Sequence, residues 1–335
     1  MSDSSTVLVT GASGFVATHC IQQLLQQGHK VRGTLRSLDK EAALRKALGD
    51  IGYGLEFVQA DLQNDQGWNK AVEGCAYVLH VASPFPSNIP KHEDELIIPA
   101  REGTLRVLRA AEQGRVRRVV LTSSIAAIMS GHAERQRVFD ERDWTNTEAR
   151  IQPYPKSKTL AERAAWEFVK GKKLELSVIN PGLILGPSLD AHFPTSSEYI
   201  GKLMRREVPG VSRTSLFTVD VRDVAAAHLA ALTTPEAAGG RFICIEGAHR
   251  FQEIALILQR HFAPQGYRIP TFEVPDLVVR LVALMDKTIR LTLDELGKEF
   301  SFSGQRTRAV LNWKPRPLEE SVVAMAEGMI AHKLI

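Results

Sequence analysis

The chain of 335 residues holds only three cysteines, Cys20, Cys75 and Cys244, and they stand far apart. A disulfide framework needs more of them at closer spacing and a zinc site needs paired ligands, so neither is expected. None of the ten histidines sits at the H-x-x-x-H spacing that puts two imidazoles on one helix face, and no metal is expected. Charge of one sign is scarce too. A formal net charge of +4 is small for a protein that must neutralise many phosphates, so no nucleic-acid partner is expected. The basic cluster Arg115, Arg117 and Arg118 reads as a solvated entrance to an apolar strand. No apolar run approaches the ~20 residues needed to cross a bilayer. The polar opening Met1-Ser2-Asp3-Ser4-Ser5 lacks the basic-then-apolar order of a signal peptide. A protein of the reducing cytoplasm is expected, away from membranes.

What is present is ordinary globular material, 44% hydrophobic and 24% charged. Its length is enough for about two domains and ample core. The organising stretch is residues 6–36, T-V-L-V-T-G-A-S-G-F-V-A-T-H-C-I-Q-Q-L-L-Q-Q-G-H-K-V-R-G-T-L-R. Val7, Leu8 and Val9 are too short a run for a helix and predict a buried strand. A turn with Gly11 and Gly14 follows. Then Phe15, Val16, Ile21, Leu24 and Leu25 recur at helical spacing up to Gly28, placed as a helix-ending glycine. A second strand over 30–35 completes a strand–helix–strand unit. Here Gly11 permits the tight turn, Gly14 admits a pyrophosphate close to the backbone, and Ala17 lets the helix pack near the strand. The helix N-terminus then offers unpaired N–H groups to the phosphates.

The end of the second strand bears on which dinucleotide binds. An NAD site usually has an acid about twenty residues beyond the glycines, to hold the ribose 2′-hydroxyl. Residues 30–38 contain none, and Arg36 stands there instead. A guanidinium suits a 2′-phosphate because its planar fork donates two hydrogen bonds at once. Ser37 and Lys40 offer further donors, and NADP(H) is the expected cofactor. Asp61, after a third strand over 55–59, either accepts from an adenine amine or caps the next turn. Further strands are expected over 76–81, 117–122 and 174–180, with a charged helix over 38–48 and a long one over 93–113 that Pro99 should kink. Such alternation predicts a parallel, doubly wound sheet. Residues 186–215 are irregular, with a basic helix around 199–206. Alternation resumes with a strand at 217–219, a helix over 224–232 and a strand over 241–245, and the rest is mixed and mainly helical. The domains expected are 1–185 with 216–247 for the dinucleotide, and 186–215 with 248–335 for the substrate.

A second informative stretch is Tyr154-Pro155-Lys156-Ser157-Lys158. Pro155 suits a first helical position, so a helix is expected to start there. Tyr154 and Lys158, four apart, then share one side of it. An ammonium beside the phenol should lower a pKa of about 10 toward the working pH, making a proton donor for a forming alkoxide. Thr122-Ser123-Ser124 ends the fifth strand, where a hydroxyl can meet a substrate carbonyl. Each feature alone is common, since exposed Tyr–Lys pairs and serine turns abound. Their order along one chain is what carries weight.

The motifs T-G-A-S-G-F-V-A, L-T-S-S, Y-P-K-S-K-T-L-A-E and N-P-G-L-I-L-G-P resemble those of the extended short-chain dehydrogenase/reductases. More narrowly they resemble the branch of dihydroflavonol reductase, cinnamoyl-CoA reductase and microbial aldehyde and ketone reductases. The likeness extends through V-D-V-R-D-V-A-A-A-H and L-N-W-K-P-R-P-L-E-E-S, nearly the whole chain. It implies a Rossmann-type α/β fold, a doubly wound parallel sheet with a smaller, mainly helical substrate domain. It implies that Ser124 orients the substrate carbonyl, Tyr154 donates the proton, and Lys158 lowers the tyrosine pKa and holds the nicotinamide ribose. Gly11, Gly14, Phe15 and Val16 would meet the pyrophosphate, Arg36 and Lys40 the 2′-phosphate, and Asp61 with Leu62 the adenine. Val81, Ala82 and Ser83 would line the ribose side, with Pro181, Gly182 and Leu183 against the nicotinamide. Phe85, Met129 and Ser196 are expected to face the substrate. Flavonoid reductases tend to carry asparagine five residues after the serine, where Met129 stands here, so a less polar ketone or aldehyde is expected.

The expectation is thus an NADPH-dependent carbonyl reductase, acting on a small molecule as a monomer or homodimer. Its rivals are a nucleotide-sugar epimerase or dehydratase on the same fold, which generally retains NAD, and a non-catalytic NADP-sensing regulator, which needs no Tyr–Lys pair.

Overall fold

Apolar residues on successive positions of each strand go to opposite faces, and this alternation builds the architecture of the computed structural model. It describes residues 5–83, 92–134, 136–284 and 298–335. In chain order the first half runs β1 (Thr6–Val9), α1 (Phe15–Gln26), β2 (Lys30–Leu35), α2 (Glu41–Leu48), β3 (Leu55–Gln59), α3 (Trp68–Val72) and β4 (Cys75–His80). It continues with α4 (Asp94–Gln113), β5 (Arg118–Thr122), α5 (Ala126–Met129), β6 (Gln136–Phe139), α6 (Pro153–Val169) and β7 (Glu175–Pro181). The second half adds β8 (Leu183–Leu185), α7 (Ser197–Met204), β9 (Ser215–Asp220), α8 (Val221–Thr233), β10 (Arg241–Cys244), β11 (Gly247–Arg250) and α9 (Phe251–Phe262). After these come α10 (Asp276–Val282), β12 (Glu299–Phe302), α11 (Gln305–Leu311) and α12 (Leu318–Ala331).

Seven strands form one parallel sheet in the order β10-β7-β5-β4-β1-β2-β3. Val7, Val9, Leu79, Val120 and Ile179 pack on one face against α1 and α8, through Ile21, Leu24, Val224 and Ala231. Leu8, Val78, Val119, Leu121 and Val178 pack on the other against α3, α4 and α6, through Trp68, Val107, Leu108 and Ala165. Two buried faces explain why these strands read as nearly continuous apolar runs. The sheet is doubly wound, as the alternation predicted. Its order reverses between β1 and β4, and in such sheets ligands bind beyond the strand C-termini at that reversal.

α1 ends as Gly28 requires. Gly28 has φ +80°, its N–H bonds to the Leu25 carbonyl at 3.0 Å, and the His29 N–H bonds to the Leu24 carbonyl at 3.1 Å. That pair of bonds is the glycine-terminated closure that satisfies a helix's last carbonyls. α4 runs unbroken through Pro99. The helix expected from Pro155 begins two residues earlier, because Pro153 supplies the same fixed φ and takes the first position after Gln152.

A smaller sheet of β11, β9 and β8 backs a second core. There Leu185, Leu216 and Ile200 meet Ile254 and Leu258 of α9, and Val322, Met325 and Met329 of α12. The third pairing, β6 with β12, gathers Phe139 and Phe300 over Ile125 and Met129.

The basic cluster corrects one expectation. Arg115 and Arg117 are exposed, but Arg118 is 1% exposed. Its Nε bonds to Glu175 at 2.7 Å. Its Nη1 donates to the carbonyls of Ala231, Leu232 and Thr234 at the C-terminal end of α8. A charged strand residue caps a helix that follows it by more than a hundred positions, a partnership invisible along the chain.

Candidate active site

A cavity of about 560 Å³ opens at the reversal point of the large sheet. Gly11, Gly14, Phe15, Val16, Arg36, Asp61, Leu62, Val81, Ala82, Ser83, Tyr154, Gly182, Leu183 and Ser196 all line it. These residues come together from the C-terminal ends of β1, β2, β3, β4 and β7, the first turn of α6 and the start of α7; Thr122 of the L-T-S-S segment is on the lining as well, while Ser124 and Lys158 are not among the lining residues.

The turn after β1 shapes one wall. Gly11 has φ +65°, and a Cβ there would lie 2.9 Å from that of Ala82. The position therefore demands glycine both for backbone conformation and for space. The Gly11 N–H is held by the Thr34 hydroxyl at 3.0 Å, and the Gly14 N–H by the Gly11 carbonyl at 2.8 Å. α1 begins at Phe15 with no side chain capping its amides, so its first-turn N–H groups face the cavity unpaired by protein caps. That is the chemistry an anionic pyrophosphate requires. Arg36, one residue past β2, is exposed on the same lining, and its guanidinium has no ion pair among the described residues. The wall thus fits a phosphorylated dinucleotide: an uncapped helix start at one place and a free fork of donors beyond β2.

Asp61 caps the turn that follows β3. Its carboxylate accepts the Gln63 N–H at 3.0 Å, and it also lines the cavity. Lys40 ends a short 3₁₀ turn, Leu38–Lys40, and is exposed away from the lining. Ser37 is committed to that turn through Asp39.

Around Tyr154 the hydroxyls converge. Tyr154 is hydrogen-bonded to the Ser124 side chain, and the Ser124 Oγ also accepts the Ala126 N–H at 3.1 Å. Lys158 lies one helical turn on, its Nζ 6.0 Å from the centre of the Tyr154 ring. The expected lowering of the phenol pKa is not what the structure gives. Burial pushes Tyr154 up, and only the Ser124 hydrogen bond pulls the other way. Desolvation wins because a phenolate loses water's stabilisation in this wall. Lys158 is itself pushed down to about 8 by burial, partly opposed by Glu162.

The other expected residues divide, with Gly182, Leu183 and Ser196 on the lining and Pro181 and Met129 buried off it. Pro181 is buried at the end of β7, with Gly182 and Leu183 on the lining. Met129 is 5% exposed and packs with Ile125, Phe217, Ile245 and Phe300. The Ser196 hydroxyl donates to the Ile184 carbonyl at 2.5 Å. Phe85 lies outside the described residues.

Sequence reasoning missed Thr34, Gln63, Trp68 and Pro194 on the lining. It also missed two buried polar groups beneath it. Thr10 accepts the Ala82 N–H and pairs with His80 Nδ1, both at 3.0 Å. Thr122 is paired at 2.6 Å with His228 Nε2, whose Nδ1 meets the Val224 carbonyl. Burial drives His80 down to about 3 and His228 down to about 4, so both rings are neutral at pH 7. No local pattern marks such residues, because Thr10 and His80 lie 70 positions apart and Thr122 and His228 lie 106 apart. Among the described residues there is no group of side chains that could hold a metal ion and no helix long and apolar enough to cross a membrane.

Known proteins share this chain's sequence and fold. Cinnamoyl-CoA reductase 1 of Petunia hybrida is 38% identical over 271 residues, covering 79% of each chain. The crystal structure of Gre2 from Candida albicans in complex with NADPH superposes with a TM-score of 0.82 at 28% identity, over 98% of this chain and 99% of that one. Yeast Gre2, a methylglyoxal/isovaleraldehyde reductase also complexed with NADPH, gives 0.81 at 29% identity over the same shares. Residues 7–244 match the model of one family throughout, and the chain belongs to that family, the NAD dependent epimerase/dehydratase family.

Proposed function

We propose that this oxidoreductase uses NADP(H) to reduce a ketone or aldehyde to an alcohol, with Ser124, Tyr154 and Lys158 at the reacting carbonyl. The observation that carries the reading is the Tyr154 hydroxyl. It lines the same cavity as the glycine turn and Arg36 and is joined there to Ser124. An epimerase on this fold would have no use for an uncommitted guanidinium where an acid usually holds the ribose.

When bound, NADPH supplies a hydride from its nicotinamide ring. The chain's own residues do the rest. The uncapped amides at the start of α1 hold the pyrophosphate and Arg36 holds the 2′-phosphate. The Ser124 hydroxyl donates to the substrate's carbonyl oxygen, polarising it and fixing its position. Tyr154 Oη gives its proton to that oxygen as negative charge develops there. A phenol pushed up by burial keeps its proton at neutral pH, which suits an acid. The Lys158 ammonium, mainly charged at pH 7, steadies the phenolate that remains, and solvent restores the proton.

Support for the substrate class comes from the relatives, whose names include reductases of an aldehyde and of a coenzyme A thioester. The test follows NADPH absorbance against isovaleraldehyde, methylglyoxal, cinnamoyl-CoA, aryl ketones, diketones, keto esters and flavanonols. Oxidation of NADPH with at least one aldehyde or ketone is expected. Binding of NADPH without turnover on any carbonyl would leave a dinucleotide-binding protein and end the reductase reading.

A further inference from the structure

Glu162 is one turn beyond Lys158 and two beyond Tyr154 on α6. Its side chain is 0% exposed, yet its carboxylate is ringed by donors from four elements. Oε2 accepts the Ser123 hydroxyl at 2.5 Å and Asn180 Nδ2 at 2.9 Å. Oε1 accepts Arg241 Nε at 2.6 Å and Trp166 Nε1 at 3.3 Å. Asn180 Nδ2 also donates to the backbone carbonyl of Ser124 at 3.1 Å. The carboxylate therefore ties the helix bearing Tyr154 and Lys158 to the ends of β5 and β7, and the tie reaches Ser124 through one amide.

Arg241 makes this burial tolerable. It is 7% exposed, and its guanidinium carbon sits 3.8 Å from the centre of the Trp144 ring. It holds the carbonyls of Glu141 and Asp143 at 2.8 and 2.6 Å. A buried ion pair of this kind is weak grounds for stability, because desolvation offsets most of the attraction. Its partners here are instead the backbone and neighbours of the proposed catalytic groups.

We propose that Glu162 is a positioning residue: its carboxylate fixes Ser124 against Tyr154 through Asn180 and supplies the negative charge that keeps Lys158 protonated. This rests on the Ser124–Tyr154–Lys158 reading above. The charged and titratable groups around Lys158 are few. Tyr154 and Glu162 share its helix, and His80, neutral, stands at the end of β4 and feels the Lys158 charge. Arg241 from β10 reaches Glu162. Among these Glu162 is the one anion, and it works against the burial that drives Lys158 down to about 8.

The test reads Lys158 directly, without cofactor or substrate. Lysines are reductively methylated with ¹³C-formaldehyde, and the Lys158 resonance is assigned by its absence in Lys158→Arg. Its titration midpoint in the full-length protein is expected to fall by about one pH unit in Glu162→Gln, the size of effect a neighbouring opposite charge exerts. In Glu162→Asp, which keeps the charge and shortens the arm, the midpoint is expected to stay near the wild-type value. A second reading uses NADPH oxidation with the best carbonyl of the panel. There kcat falls roughly tenfold or more in Glu162→Gln, with KM for NADPH within about twofold. A folded Glu162→Gln protein with the wild-type midpoint and wild-type kcat overturns the proposal. Should that variant fail to fold, Glu162→Asp decides it: a wild-type kcat there means that the tie to Ser124 does nothing. Full activity in Tyr154→Phe would instead sink the catalytic reading, while the NMR midpoint still reports on Glu162.

Discussion

The Ser124 side chain is hydrogen-bonded to the Tyr154 hydroxyl, joining the end of β5 to the first turn of α6. The bond fixes two hydroxyls on one small region of space, where a carbonyl oxygen can be met by both. Everything expected of the site's chemistry turns on that meeting point.

Tyr154→Phe removes the proton donor and little else. Turnover is expected to fall on the order of 10² to 10⁴-fold, the usual share of a positioned acid. NADPH affinity, followed by fluorescence titration, should remain near wild type. Retention of most of the turnover would take Tyr154 out of the proton's path.

Arg36→Glu replaces the donors for a 2′-phosphate with an acid that suits a ribose hydroxyl. Hydrogen bonds to a charged group contribute about 1.5–3 kcal/mol, so kcat/KM for NADPH should drop by roughly ten- to a hundredfold. Preference should turn toward NADH. The ratio of kcat/KM for the two cofactors measures it, and an unchanged ratio places Arg36 away from the nucleotide.

His80 and His228 make stability fall in acid. Both are held below their ordinary value of 6.5 by burial, at about 3 and about 4. Below pH 6.5 the unfolded chain takes up protons that the folded one refuses, so stability declines as pH falls from 6.5 toward 4. Two such groups predict a loss of about 2.5 kcal/mol between pH 7 and 5.5, the slope for each approaching about 1.4 kcal/mol per unit below pH 6.5. Urea unfolding at the two pH values measures it. In His228→Gln the pH-dependent loss should shrink by about half, and an undiminished slope would assign the effect to other groups.

Arg118→Met leaves three carbonyls at the end of α8 without their donor and Glu175 without its closest cation. Loss of a buried charged hub costs about 3–5 kcal/mol. Arg117→Met, whose side chain is 61% exposed, should change stability by no more than about 0.5 kcal/mol. Denaturant midpoints compare the two, and similar losses would mean that Arg118 is not the cap.

The sequence by itself determined the local pieces. β1, the glycine turn, α1 and its Gly28 ending were legible because period, φ requirement and capping are properties of a few neighbouring residues. So was the absence of an acid beyond β2 and the one-turn spacing of Tyr154 and Lys158. Only the tertiary structure decided what those pieces feel. It turned Arg118 inward to cap α8, packed Met129 under a sheet edge instead of on the cavity wall, and raised the phenol that a nearby ammonium was expected to lower. It also closed the ring of Ser123, Glu162, Asn180 and Arg241. Burial and hydrogen-bond partnership depend on which distant strands and helices come to lie side by side, and desolvation acts through that surrounding volume. A linear spacing carries no record of it.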